Sequence, residues 1–187
     1  MRKSIAVALG TMTAMGIILM PAAALAAPGA ASRAEQSGSD PATSVTFAVT
    51  TGELTISVPD SADLGSGAPG TDIVGDLGTV LVTDDRAALN AVWTATASDT
   101  NFVTGGGTMP ETILATDVDY ATGDVATTGT VTAATTDITM NTTPQDVVDA
   151  SGVVGDNTAS WDPQITVHVP DAAVTGTYTG TITHSVS

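Results

Sequence analysis

From residue 45 onward this chain repeats its apolar residues at every second position. Val45, Phe47 and Val49 alternate with Thr46, Ala48 and Thr50, and Leu54, Ile56 and Val58 alternate with Thr55 and Ser57. A period of two places successive side chains on opposite faces of a strand, whereas an amphipathic helix repeats every 3.6 residues. No helical pattern exceeds two turns, the best stretches being 84–90 and 144–150. The Thr51-Gly52 pair between the first two runs predicts a turn, and so a β-hairpin. Further strands are expected over 77–83, 91–97, 112–120, 129–133, 137–141, 165–169 and 177–186. Thr and Val dominate them, and β-branched side chains suit a pleated surface. Clusters of Gly, Pro and Asp separate the runs at 59–70, 105–107, 123–124 and 155–157. Many short strands at this spacing predict an all-β fold, a single antiparallel β-sandwich with Greek-key connections. No repeat of fixed period is present, which excludes solenoids and propellers.

The N-terminus has a different composition. Arg2 and Lys3 precede an apolar run over 5–20, then Pro21 and a small-residue series ending Ala24-Leu25-Ala26. These are the three regions of a secretory signal peptide, expected to be cut after residue 26. Residues 27–42 are Ala, Ser, Gly, Pro and Gln with scattered charges, a composition that cannot bury a core and predicts a flexible leader. The folded domain is then 43–187, long enough to bury about two-thirds of its unfolded surface. Cleavage removes two basic residues and no acid, taking the net charge from −16 to −18 and leaving Arg33 and Arg86 as the only cations. Affinity for nucleic acid and for anionic membranes comes from Lys and Arg, so neither is expected as a partner, and no membrane insertion is expected after cleavage. A mature chain without lysine cannot form Lys-Asn isopeptide staples or Lys-linked pili. Cysteine is absent, which excludes disulfides, thiol catalysis, thiolate metal sites and lipid attachment at the cleavage site.

The residues that carry chemistry are few. The histidines are His168 and His184, the first on a polar strand face and the second on a face with Tyr178, Ile182 and Val186. Neither stands in a nucleophile motif, and Gly65-Ser66-Gly67 is not a nucleophile elbow. No enzymatic activity and no cofactor are expected. Most of the acids sit where turns are expected, as in Pro59-Asp60, Gly75-Asp76 and Pro170-Asp171, and turn chemistry accounts for them. Two groups stand apart as candidate structural calcium ligands: Asp84 with Asp85, and Asp117 with Asp119, because calcium takes its six to eight oxygens readily from paired acids. Of six aromatics in the domain, Trp93, Trp161 and Tyr178 are candidate packing or binding residues, as is Arg86, and a sandwich of this size needs most of its aromatics inside.

Two stretches carry a resemblance. One runs from Gly78 through Thr83-Asp84-Asp85-Arg86 to Ala91-Val92-Trp93. The other runs from Trp161 through Ile165-Thr166-Val167-His168-Val169-Pro170 to Gly176-Thr177-Tyr178 and Thr181-Ile182-Thr183. In this order, and with the opening 52–59 segment, they resemble the WxL-domain surface proteins of Gram-positive bacteria. The third position of the motif is Ala95 in the stretch that starts at Trp93 and Pro163 in the one that starts at Trp161, so both Trp-x-Leu motifs are incomplete. The resemblance implies an exported, non-catalytic β-protein held non-covalently at the cell wall, with a structural or adhesive role. Its partner would be a wall component such as peptidoglycan, or another surface protein. Two other readings are carried forward: a carbohydrate-binding module, which needs an exposed tryptophan, and a subunit of an extracellular assembly, in which a terminal strand of one copy extends a sheet of the next.

Overall fold

The structure, a computed structural model, describes residues 43–187; the expected signal peptide and leader lie outside the described residues. Thr46–Ser187 forms one compact unit. Its strands are β1 (Leu54–Ser57), β2 (Asp72–Asp76), β3 (Val80–Asp84), β4 (Leu89–Asp99), β5 (Phe102–Val103), β6 (Thr112–Ile113), β7 (Val118–Ala121), β8 (Ala126–Thr135), β9 (Ile138–Thr139), β10 (Gln145–Trp161), β11 (Gln164–His168) and β12 (Ile182–Val186). Helix is confined to two short 3-10 turns, Met109–Glu111 and Ala115–Asp117. No helix among the described residues is long and apolar enough to cross a membrane.

The fold is all-β, built of antiparallel sheets in a sandwich-like arrangement. The larger sheet has six strands and is organised around β10. Along one edge of β10 lie β4 and then β3, with Ala95 opposite Val148 and Thr83 opposite Thr158. β8 follows the opposite edge of β10. The outer edge of β3 carries β1, and that of β4 carries β12. The smaller sheet has the order β2-β11-β7-β9, and β5 pairs with β6 in a separate two-stranded ribbon. Inward residues of both main sheets form one core: Val80, Val82, Trp93 and Trp161 from the larger sheet, Val118, Tyr120, Ile165 and Val167 from the smaller. Burial alternates along β3, β4 and β11 as the period of two requires.

Four local expectations turn out differently. The opening hairpin does not form. Gly52 donates its N–H to the Asp85 carbonyl at 2.7 Å, and Asp85 donates to the Glu53 carbonyl at 2.9 Å, so the ladder between β1 and β3 runs on through the expected turn. A Cβ on Gly52 would lie 2.7 Å from the Asp85 Cβ, so glycine serves close approach there rather than reversal of the chain. The helix-like stretch 144–150 and the turn-like 155–157 are both parts of β10. That strand accommodates Gly152 and Gly155 at φ +64° and +69° through register shifts, bending without ending. The expected strand over 112–120 is broken by the 3-10 turn at Ala115–Asp117. The closing strand is also shorter than expected: only Ile182–Val186 pairs continuously, and Thr179 makes a single bridge to Val103.

Candidate functional site

Three clusters of polar side chains stand out among the described residues. The first is buried between the sheets. Tyr120 on β7 and Trp161 at the end of β10 both point inward, and the indole Nε1–H donates to the Tyr120 hydroxyl at 2.9 Å. That hydroxyl lies 3.0 Å from Nε2 of His184 on β12. Because the phenol oxygen accepts from the indole, its own proton is free to donate to Nε2, which puts the imidazole proton on Nδ1. Burial pushes the Tyr120 hydroxyl up to about 12 and the His184 imidazole down to about 4, so both remain neutral. Indole, phenol and imidazole thus form a relay that joins the two sheets.

One diagonal step from His184 on the neighbouring strand is Asp99, since Asp99 faces Ile182 and His184 faces Ala97. Asp99 is buried, and neither of its carboxylate oxygens nor Nδ1 of His184 has a hydrogen-bond partner. Burial raises the Asp99 carboxyl to about 6.

The second place is the corner between β3 and β4. Asp84 is completely buried, and Arg86 grips it with Nε to Oδ1 at 2.8 Å and Nη2 to Oδ2 at 2.9 Å. Nη2 also donates to the Val92 carbonyl at 3.1 Å, tying the corner to the strand that carries Trp93. The guanidinium holds the Asp84 carboxyl below its ordinary range. Arg86 is the sole Lys or Arg in residues 43–187, and it is used here structurally. Replacing it with alanine leaves a buried carboxylate unpaired. The expected loss is about 2 kcal/mol, below the ~3–5 kcal/mol of a fully buried pair, because the guanidinium is 31% exposed. Urea denaturation checks this, and a loss within error of zero would contradict the structural role.

The third place is the solvent face of the smaller sheet. His168 lies directly opposite Asp72 and one diagonal step from Asp119, which is itself opposite Thr139. Nδ1 of His168 is 2.8 Å from Asp72, its Nε2 is 2.9 Å from Asp119, and the Thr139 hydroxyl donates to Asp119 at 2.7 Å. A polar rung therefore crosses all four strands. Both ring nitrogens meet carboxylates, so the imidazolium is favoured and the His168 pKa is raised, chiefly by Asp119 and then by Asp72. Its contribution to stability is present below the ordinary histidine range and is lost as pH rises through the raised value. The sequence places His168 on a polar strand face without showing its partners, because the register that brings the two acids beside it is set by strands far apart in the chain.

The expected site residues are thus dispersed. Trp93 and Trp161 are 1% and 2% exposed and serve as core packing, so neither offers a face for stacking a sugar ring. Tyr178 is half-buried; its hydroxyl lies 3.0 Å from the Pro110 carbonyl and 2.9 Å from the Val174 carbonyl, pinning the 174–178 segment to the first 3-10 turn. The two pairs of acids do not come together: Asp84 is held by Arg86, Asp119 by His168 and Thr139, and Asp117 accepts from the Leu114 N–H at 3.3 Å, while Asp85 is exposed. Among the described residues no group of three or more His, Cys, Asp or Glu side chains is placed to hold a metal ion. In the rung the two imidazole nitrogens point to different acids, so its members do not converge on one point.

A cleft of about 770 Å³ opens between the 62–69 loop and the 173–180 segment. Ile73, Phe102, Ile113, Val167, Val169 and Tyr178 line it. Sequence reading missed it, because its walls come from segments about a hundred residues apart. Compared with known proteins, the chain matches no family model, no curated protein and no solved structure.

Proposed function

We propose that this chain is a secreted, non-catalytic surface protein of the WxL-like kind, associated non-covalently with the cell wall and acting as a structural or adhesive module. One observation carries the non-catalytic part of this reading. Both histidines, the sole arginine of the domain and the most buried tyrosine are committed to bridging elements rather than facing a common cavity. The signal-like N-terminus and the order of motifs around Trp93 and Trp161 support export and wall association. A chain of charge −18 after cleavage is repelled by anionic wall polymers unless divalent cations bridge the two, so wall binding is expected to depend on calcium.

Co-sedimentation with isolated Gram-positive cell walls tests the proposal. The purified protein is expected to pellet with walls in calcium and to be released by a chelator. Recovery in the supernatant both with and without calcium would sink wall association.

A further inference from the structure

The segment preceding β1 carries a strand pattern that the domain does not use. Val45, Phe47 and Val49 are 80%, 89% and 78% exposed, with no secondary structure over 43–53. Alternation of this kind is a preference for a half-buried strand, and its apolar face remains in water. The ladder through Gly52 and Glu53 takes the chain away from β1 without reversing it. The other terminal strand is committed within its own sheet: β12 pairs with β4, and Ser187 and Thr94 exchange hydrogen bonds.

The cleft has the complementary character. Its apolar floor of Ile73, Phe102, Ile113 and Val167 lies where the core reaches the surface, and Asp63 is its only charged residue. The chain as a whole carries −16, and most other surfaces would repel a second copy. Residues 41–52 contain no charge either. Two copies can therefore meet through segment and cleft without bringing carboxylates together.

We propose that the Val45–Val49 segment of one copy seats in the cleft of a second copy, with Phe47 against the floor between Ile73 and Phe102. Donor and acceptor are different surfaces of the same chain. Such a contact is head-to-tail, and repeated from copy to copy it builds chains of subunits. The inference goes beyond wall association and fails independently of it, since it is read in solution without walls.

Sedimentation velocity over a wide concentration range tests the proposal, using the purified chain, Phe47→Asp, Thr177→Asp and a synthetic peptide of residues 43–51. Phe47 and Thr177 are exposed, so neither substitution disturbs the core. The unaltered protein is expected to form a concentration-dependent ladder of oligomers. Each variant alone is expected to associate roughly tenfold or more weakly. A mixture of the two should form a single 1:1 complex, since one retains the cleft and the other the segment. The free peptide should disperse the oligomers. A monomer at all concentrations, whether open or with its own segment folded into its own cleft, overturns the proposal. So does association by either variant at unaltered strength.

Discussion

Trp161→Ala is expected to cost on the order of 5 kcal/mol, a large share of the total stability of a domain this size. Two effects combine. Removing a fully buried indole leaves a cavity between the sheets, worth ~3–5 kcal/mol for a large aromatic in a core that cannot collapse. It also removes the donor to the Tyr120 hydroxyl, whose bond to His184 helps join β7 to β12, adding about 1 kcal/mol for a polar group left partly unsatisfied. Trp161→Phe separates the two, because it keeps most of the apolar volume and loses only the N–H; a cost of about 2 kcal/mol is expected. Urea denaturation of the three proteins is the measurement. If alanine and phenylalanine were equally mild, Trp161 would not be the packing centre its burial indicates.

Asp99→Asn is expected to stabilise the protein at pH 7 by roughly 3 kcal/mol and at the same time to make it acid-labile. Burial raises the Asp99 carboxyl to about 6. Above that pH the folded protein holds an unpaired buried charge, and the penalty is relieved only as pH falls toward the ordinary carboxyl range. His184 has the opposite sign. Its value of about 4 means that between the ordinary histidine range and pH 4 the unfolded chain takes up a proton that the folded chain refuses. Stability from His184 is therefore lost on acidification over that window, by roughly 3 kcal/mol. In the unaltered protein the two contributions nearly cancel. In Asp99→Asn only the histidine contribution remains, so the variant should begin more stable at pH 7 and converge on the parent near pH 4. Denaturation at both pH values decides this. An increment that is the same at pH 7 and pH 4 would mean that Asp99 is not the carboxyl that burial perturbs.

These two residues show which properties are legible in a sequence. Trp161 could be assigned to the core because six aromatics are too few for a domain of this size to spare. Asp99 carried no such signal: it follows Ser98 before Thr100-Asn101 and looks like any solvated acid at a strand end. Its burial comes from its place on the inward face of β4, where its cross-strand partner, Ile182 of β12, is more than eighty residues away. Separation along the chain also hid the rung through His168, and the corner at Arg86 showed its residues but not their pairing.

Period-two alternation, β-branched composition and the lack of any sustained helical pattern determined the all-β class, because those properties are local and repeat along the chain. The sequence by itself also determined the strong negative charge, the absence of cysteine and the scarcity of histidine and basic side chains. Tertiary structure decided the rest. It made β10 one long bent strand across a stretch that reads as a helix followed by a turn, and it kept Gly52 in a ladder where a reversal was expected. It buried Asp99 beside His184 and left Phe47 in water with a largely apolar cleft elsewhere on the same domain. Each of these depends on which strands become neighbours. Pairing is decided by the combined burial of two faces and the register of distant segments, and no local window contains both partners.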